Sequence, residues 1–151
     1  MTEQEIMQEV EECLRNYPAN FTRIDVLQKD LQVLRARGDV QVQNYVKIYN
    51  SDSKTTHSDP VFDFVKQIER LEKEIERLKR ITEPLTKMIQ DLKTPYASDQ
   101  SLNSDFLKIL GLYYFGRNPV ANILDETHWS RAGFFRKKKQ LQSLARSYLG
   151  Y

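Results

Sequence analysis

The chain has 151 residues, of which 40% are hydrophobic and 29% charged, and it contains one cysteine. This composition is typical of one or two small, helix-rich soluble domains, and five Gly with five Pro argue against an all-β sandwich. A single Cys excludes a disulfide framework within a monomer. No apolar run approaches the roughly 20 residues of a transmembrane helix, and the charged first residues do not resemble a signal peptide. We therefore expect a cytoplasmic protein.

The small net charge of +2 conceals a difference between the two parts of the chain. Residues 1–98 carry 15 Lys and Arg against 17 Asp and Glu, whereas residues 99–151 carry 8 against 4. The excess positive charge thus belongs to the C-terminal part, which is where we expect a phosphate backbone to bind.

The first 38 residues follow one spacing of three and four, which is typical of a coiled-coil seam. The repeat consists of Ile6, Val10, Cys13, Tyr17, Asn20, Ile24, Leu27, Leu31 and Leu34. Pro18 interrupts the pattern without shifting it, so we predict a kinked helix or two stacked segments that end near Gly38.

Residues 39–60 are predicted to form a loop containing a small β-hairpin, because short alternations of apolar residues begin at Val40. Asp59 and Pro60 are suited to the cap and first position of the next helix. His57 and Asp59 are two potential metal ligands, but with no further His or Cys nearby we interpret this segment as a plain polar loop.

A second seam follows the heptad of a coiled coil from residue 61 to residue 92. Its a positions are Val61, Ile68, Ile75, Thr82 and Ile89, and its d positions are Phe64, Leu71, Leu78, Leu85 and Leu92. Ile at a with Leu at d favours a parallel pair of chains, whereas the first seam favours an antiparallel hairpin within the chain. Pro18 and Pro84 lie at similar distances from the loop and would face each other in a hairpin, so we favour that arrangement.

We also expect a homo-oligomer that assembles along this second helix. The expected oligomerisation residues are Val61, Phe64, Ile68, Leu71, Ile75, Leu78 and Leu85. The predicted fold is all-α, with a helical hairpin or coiled coil over residues 1–94 and a small helix-turn-helix domain over residues 99–151. The junction is the helix-breaking segment that contains Pro95. After it, the apolar spacing from Leu102 to Tyr113 predicts one helix that stops at Gly116.

The segment from Asn118 to Lys139 indicates two helices joined by a tight turn. Asn118 can cap the first helix, Pro119 suits its first turn, and Ser130 can cap the second. Phe134, Leu141, Leu144 and Tyr148 recur at helical spacing and are expected to face a core. A capped helix with a basic N-terminal half is what a helix-turn-helix places in the major groove of DNA.

We expect the first turn of this second helix to enter the groove, with Arg131 contacting guanine. Phe135 has two equal interpretations, contact with a thymine methyl group or packing. The remaining basic residues are expected to bind phosphates. The full set of expected DNA-binding residues is Ser130, Arg131, Ala132, Gly133, Phe135, Arg136, Lys137, Lys138, Lys139 and Arg117.

Catalysis, cofactors and metals find no support in the sequence. One Cys, two distant His and the lack of a glycine-rich phosphate loop leave no nucleophile–base pair or ligand cluster. We therefore expect no enzymatic activity and no cofactor. The expected partner is double-stranded DNA, and no membrane is expected.

Several short motifs resemble a known family. These are Leu112-Tyr113-Tyr114-Phe115, Ile123-Leu124, Trp129-Ser130-Arg131 and Phe134-Phe135-Arg136, with Leu14-Arg15-Asn16-Tyr17 and Ser58-Asp59-Pro60 upstream. Together they resemble phage late-gene regulators of the ArpU/RinA-like and LtrC-like type, which carry a helix-turn-helix similar to sigma-factor region four. The resemblance implies an oligomeric activator of late or packaging genes that binds a phage promoter and works with host RNA polymerase.

The sequence departs from this pattern at Thr127 and Lys137, where the family often has a buried leucine and an apolar residue, and at its entry to the first helix, where an acidic, glycine, serine-type segment is replaced by Gly116-Arg117-Asn118-Pro119. Gly133 lies inside the expected recognition helix, where it costs up to about 1 kcal/mol relative to alanine. Two rival functions stay open, and Thr127 and Gly133 favour only the second of them. One is a small terminase-like subunit that grips DNA for packaging. The other is a regulator-like protein that pairs through its coiled coil and binds no DNA.

Overall fold

The computed structural model describes the backbone of residues 1–50, 60–94 and 100–151, and the side chains of residues 1–38, 62–94 and 100–151. All regular elements in these segments are helices, which confirms the predicted all-α class. The helices are α1 (Glu3–Asn50), α2 (Pro60–Lys93), α3 (Gln100–Ile109), a π-helix (Leu110–Phe115), α4 (Val120–Thr127) and α5 (Arg131–Leu149).

Helix α1 begins at a reciprocal cap. The Glu5 backbone N–H donates to Thr2 Oγ1 at 3.2 Å, and the Thr2 N–H donates to Glu5 Oε2 at 2.8 Å, as in a capping box. The helix then continues to Asn50, so the predicted stop near Gly38 is wrong, and so is the predicted β-hairpin over residues 39–50. Apolar residues after Gly38 also fit a spacing of three and four, and this continuing helical period outweighs the weak β-propensity of the segment. The predicted loop over residues 51–59, with His57 and Asp59, lies outside the described residues.

The chain divides into two compact units. The end unit comprises Met1–Asn20 and Arg80–Tyr151, and the hairpin unit comprises Phe21–Lys79. This division differs from the predicted boundary at residues 94–99, because the first turns of α1 and the last turns of α2 pack with the C-terminal helices. Both helices of the predicted hairpin therefore contribute residues to both units.

The hairpin unit is held by one apolar seam between α1 and α2. Its buried residues are Leu27, Leu31, Ile75 and Leu78, with Ile24, Ile68 and Leu71 partly buried against them. Arg35 Nη2 donates to Glu72 Oε1 at 2.6 Å, so an ion pair crosses the edge of the seam. Helices α1 and α2 therefore pack within the chain as the antiparallel hairpin that the sequence favours.

This packing corrects the expected oligomerisation residues. Ile68, Leu71, Ile75 and Leu78 contact α1 of the same chain, and Leu85 is fully buried in the end unit. Phe64 is half-buried and approaches Gly38, whereas the side chain of Val61 lies outside the described residues. The predicted heptad residues of α2 thus do form an apolar seam, but they pack on α1 of the same chain. Because α1 is only one loop away, its effective concentration is higher than that of a second chain.

The end unit has a larger, aromatic core to which every one of its helices contributes. Its buried side chains include Val10 and Leu14 from α1, Leu85 and Met88 from α2, and Phe134 from α5. Tyr17 of α1 contacts both α2 and the π-helix. The Tyr17 hydroxyl shares a 2.8 Å hydrogen bond with Thr86 Oγ1, and its ring stacks on Phe115 at 5.5 Å between centroids. Because Tyr17 precedes Pro18 and Thr86 follows Pro84, the two prolines lie at corresponding levels of α1 and α2, as the sequence predicts.

The helix predicted from Leu102 to Phe115 changes its winding at residue 110. The Gly116 N–H donates to the Gly111 carbonyl at 2.9 Å, which is the five-residue step of a π-helix. The wider turn rotates Tyr114 into the core, where it is 1% exposed, and leaves Tyr113 half-buried beside it. The turn therefore presents two neighbouring tyrosines to the same region of the end unit.

Candidate nucleic-acid interface

Helices α4 and α5 form the predicted helix-turn-helix, joined by residues 128–130. Ile123 of α4 is 1% exposed, and Phe134 and Leu141 of α5 are fully buried in the same core. Leu144 and Tyr148 are partly buried against this core, so the predicted apolar face of α5 is confirmed. The opposite side of the N-terminal half of α5 faces solvent.

Ser130 caps α5 as predicted. Its Oγ accepts a hydrogen bond from the Gly133 backbone N–H at 3.0 Å. A Cβ at position 133 would lie only 2.9 Å from that oxygen, so a glycine leaves room for the cap. Gly133 is itself buried and does not reach the surface, which corrects the expectation that it approaches DNA. The glycine inside the expected recognition helix therefore has a structural role in this chain.

Thr127, a departure from the family pattern, is also accommodated. Its Oγ1 donates to the Ile123 carbonyl at 2.7 Å and accepts from the Trp129 backbone N–H at 3.4 Å. His128 follows in the left-handed conformation with φ of 61°, and its N–H donates to the Leu124 carbonyl. The threonine thus takes part in the turn between α4 and α5.

The exposed side of α5 carries a compact group of potential DNA-contacting side chains, which we call the α5 face. The α5 face comprises Arg131, Ala132, Phe135, Arg136 and Lys139. Residues four apart on a helix are neighbours, so Arg131, Phe135 and Lys139 form one row. The Arg131 guanidinium lies 5.8 Å from the centre of the Phe135 ring. Among the described residues, no carboxylate lies within ion-pair distance of Arg131, Arg136 or Lys139.

Lys137 does not belong to the α5 face, although it was predicted to bind phosphate. Its Nζ lies 3.0 Å from Asp105 Oδ2 of α3 and 4.1 Å from the centre of the Trp129 ring. The lysine stem covers apolar surface while its charge is neutralised locally. This arrangement explains how a lysine occupies a position where an apolar residue was expected, and it leaves Lys137 without a charge available for DNA.

Lys138 points to the other side and is only 16% exposed. Its Nζ lies 3.4 Å from Glu11 Oε1 and donates to the Tyr113 hydroxyl at 3.2 Å. The same ammonium lies 4.7 Å from the centre of the Tyr113 ring. Lys138 therefore connects α5 to α1 and to the π-helix, which corrects its expected role as a phosphate ligand.

Glu11 is the centre of a polar cluster that the sequence analysis missed. Its Oε2 accepts from the Tyr114 hydroxyl at 2.6 Å and from Gln142 Nε2 at 2.5 Å. Burial opposes ionisation, but these two hydrogen bonds and the charges of Lys138 and Arg15 outweigh it and lower the pKa of Glu11. Burial and the bond to Glu11 raise the pKa of the Tyr114 hydroxyl. The carboxylate is thus ionised at neutral pH and connects α1 to the π-helix and to α5.

Arg117 and Asn118 lie in the turn before α4, and Asn118 does not have the capping role that was predicted for it. Asn118 does not cap α4, whose N-cap position is occupied by Pro119. Instead the Asn118 backbone N–H and its Nδ2 both donate to the Leu112 carbonyl, at 3.0 and 3.1 Å. Gly116, the predicted helix stop, has an ordinary φ of −80°, but a Cβ there would lie 2.8 Å from the Gly111 oxygen. The left-handed residue is Arg117, with φ of 52°.

Other kinds of site have little basis in the described segments. Within residues 1–38, 62–94 and 100–151, whose side chains are described, no three or more His, Cys, Asp or Glu residues are placed to hold a metal ion. Burial, and secondarily the carboxylates of Glu9 and Glu12, raise the pKa of the Cys13 thiol to about 11, so it is protonated at neutral pH. No helix in these segments is both long and apolar enough to cross a bilayer.

Comparison of the chain with protein-family models, with curated proteins and with solved structures returned no match. The function of this chain is therefore inferred from its own residues and their geometry.

Proposed function

We propose that the chain is a sequence-specific DNA-binding transcriptional regulator in which α5 is the recognition helix. The observation that carries the proposal is the α5 face. It places three cations without carboxylate partners among the described residues beside a half-exposed aromatic ring, at the N-terminal half of a helix held by a serine cap. A helix-turn-helix inserts this part of its second helix into the major groove.

Each residue of the α5 face has a chemical role in this proposal. Arg131 lies in the first turn, where its two-pronged guanidinium can donate to both acceptors of a guanine. Arg136 and Lys139 bind phosphates on the flanks of the groove. Ala132 is small enough to permit close approach of the helix to the bases.

Phe135 combines the two interpretations that the sequence left open. Its ring meets Phe134 edge to face, with 5.2 Å between centroids, and yet remains 43% exposed. One side of the ring is therefore packed and the other is available to contact a thymine methyl group, which is an apolar feature of the major groove.

The resemblance to phage late-gene activators implies which genes the proposed regulator controls. By this resemblance the chain activates late or packaging genes from a phage promoter, with host RNA polymerase as a further partner. The described residues support the DNA-binding part of this function through the α5 face, whereas gene identity depends on the resemblance alone.

We further propose that the regulator is a homo-oligomer that assembles through the hairpin unit. The predicted seam residues are occupied within the chain, so other apolar side chains must supply the contact. In the part of this unit whose side chains are described, the exposed large apolar residues are Phe21, Val26, Val33, Phe62 and Val65. Pairing two hairpins into a four-helix bundle would remove such side chains from water and give the unit a second apolar layer.

The proposal is tested by selecting duplexes from a randomised pool with the full chain and then titrating the selected duplex and a scrambled one at fixed salt. We expect Arg131→Ala to weaken binding to the selected duplex by about 1–3 kcal/mol, which is the discrimination of one two-pronged arginine–guanine contact. Binding to the scrambled duplex should change little. Lys108→Ala, an exposed cation on α3, is the matched control.

Two results would contradict the proposal. A pool that yields no preferred sequence would show that the chain lacks sequence-specific recognition. Equal losses of affinity for both duplexes in Arg131→Ala would show that Arg131 contacts only the backbone.

A further inference from the structure

The end unit contains a second cationic feature, formed by residues that do not belong to the α5 face. A pocket of about 250 Å³ is lined by Arg15, Asn16, Tyr113, Tyr114, Arg117 and Asn118. Two of these residues are arginines and none is acidic. The lining draws on α1, the π-helix and the turn before α4, so it is assembled from segments about 100 residues apart in sequence.

The hydrogen bonds around the pocket leave donors turned towards it. The Tyr113 hydroxyl already accepts from Arg15 Nη2 and from Lys138 Nζ, both at 3.2 Å. A phenol has only one O–H, so the remaining function of this hydroxyl is to donate. Arg15 uses Nη2 for its contacts, and its Nε and Nη1 have no acceptor among the described residues.

Glu11 neutralises the pocket only in part, because it forms one ion pair with Arg15 and none with Arg117. It is not part of the lining, and its Oε1 lies 3.5 Å from Arg15 Nη2, at the limit of a hydrogen bond. The same carboxylate is engaged more closely by Tyr114 and Gln142. Among the described residues no carboxylate forms an ion pair with Arg117. The pocket therefore presents two cationic forks and one hydroxyl donor, which is the complement of an oxyanion.

The backbone at Arg117 is a second, independent observation. The residue ends the π-helix in the left-handed region at φ of 52°, and the next N–H returns to the Leu112 carbonyl six residues earlier. Glycine is the residue that usually occupies this position at a helix end, since a side chain there is strained. A strained residue that carries the charge of a pocket indicates that its side chain has a function.

We propose that this pocket is a phosphate-binding site in which Arg15 and Arg117 hold one phosphate group. Two arginines can share the oxygens of a phosphate, and the hydroxyl of Tyr113 donates to a further oxygen. The phosphate is one of the DNA backbone, beside the segment bound by α5, and this choice of source rests on the proposed function. The phosphate chemistry of the pocket does not depend on it.

The test uses Arg15→Gln and Arg117→Gly in the full chain, with Lys87→Gln as a charge-matched control on an exposed part of α2 in the same unit. Arg117→Gly removes the charge and also relieves the left-handed strain, so its melting temperature should equal or exceed that of the wild type. Loss of binding in this variant would therefore not be a consequence of unfolding.

The first arm measures affinity for a mixed-sequence duplex as a function of salt. One lost phosphate contact lowers the slope of log K against log salt by about one unit. We expect this loss in Arg15→Gln and in Arg117→Gly, no larger loss in the double variant, and no change in Lys87→Gln. The second arm titrates inorganic phosphate and follows the Arg15 Nε–H resonance by NMR, which should shift in the wild type and not in Arg117→Gly.

The two arms separate the sources of the phosphate. A phosphate response that depends on Arg117, together with an unchanged DNA slope, would retain the phosphate site and overturn its assignment to DNA. A stable Arg117→Gly variant that changes neither response would overturn the proposal. A wild type that binds no DNA would refute the proposed function, and the inorganic phosphate arm would then decide the pocket alone.

Discussion

The two compact units of this chain are stabilised in different ways. Among the residues whose side chains are described, the core of the end unit has fourteen buried side chains, whereas that of the hairpin unit has four. Five of the eight exposed large apolar side chains among the described residues lie in the hairpin unit. One seam between two helices buries only one side of each helix. Most of the stability of such helices must therefore come from packing against further structural elements. Among the described residues, the hairpin unit thus leaves a larger share of its big apolar side chains in contact with water than the end unit does.

The largest expected effect concerns the core of the end unit. Phe134 is fully buried, so Phe134→Ala should lower the free energy of unfolding by about 3–5 kcal/mol and abolish DNA binding, because α5 loses its anchor. Phe135→Ala is the matched control, since its ring is 43% exposed and its loss should cost much less stability. Denaturant unfolding of both variants measures the difference, and equal losses would show that the core is not where the structure places it.

A smaller effect is expected in the hairpin unit. Leu78 is 2% exposed, and Leu78→Ala should cost about 2–3 kcal/mol, at the lower end for buried leucines because the seam is narrow. Amide hydrogen exchange should accelerate in residues 21–79 and remain slow in residues 100–151. Val33→Ala, at an exposed position of the same unit, serves as the control. Uniform acceleration along the whole chain would contradict the independence of the two units.

The periodic features of the molecule were predictable from the sequence. The heptads of α2, the apolar face of α5 and the Ser130 cap depend on residues within a few positions of one another, and local spacing determines them. The extent of α1 was not predicted, because Gly38 and the following β-branched residues have weak preferences that the continuing helix overrides.

The polar cluster could not have been found from local patterns. Glu11 bonds to Tyr114 and Gln142 across 103 and 131 residues, and a glutamate on a charged helix face resembles any solvated side chain. The π-helix has no distinct sequence signal, although it alone brings Tyr114 inward. For the same reason Lys137 and Lys138 were grouped with Lys139, since the sequence reveals a run of charge but not the carboxylates that neutralise part of it.

A smaller loss of stability is expected from a change in the polar cluster around Glu11 in the end unit. Glu11→Gln keeps an acceptor for Tyr114 but removes the charge that balances Lys138 and Arg15, and we expect a loss of about 1–3 kcal/mol. Because folding lowers the pKa of Glu11 from 4.5, its ionisation stabilises the protein above this pH. That contribution is lost as the pH falls through the lower pKa of the folded state.

Melting curves of wild type and Glu11→Gln should therefore differ most near neutral pH and converge in acid. Glu12→Gln, an exposed neighbour on α1, is the control and should leave the pH dependence unchanged. A constant difference between wild type and Glu11→Gln at every pH would show that the charge of Glu11 is not what stabilises the cluster.

The central claim is that the basic residues of α5 are divided between DNA and the protein interior. The most direct measurement compares two double variants that each remove two positive charges, Arg136→Gln with Lys139→Gln, and Lys137→Gln with Lys138→Gln. For the first pair we predict a salt slope of DNA binding lower by about two units with an unchanged melting temperature. For the second we predict an unchanged slope and a lower melting temperature, because Asp105 and Glu11 lose their cations. A reduced slope in the second pair, or an unchanged slope in the first, would contradict the account.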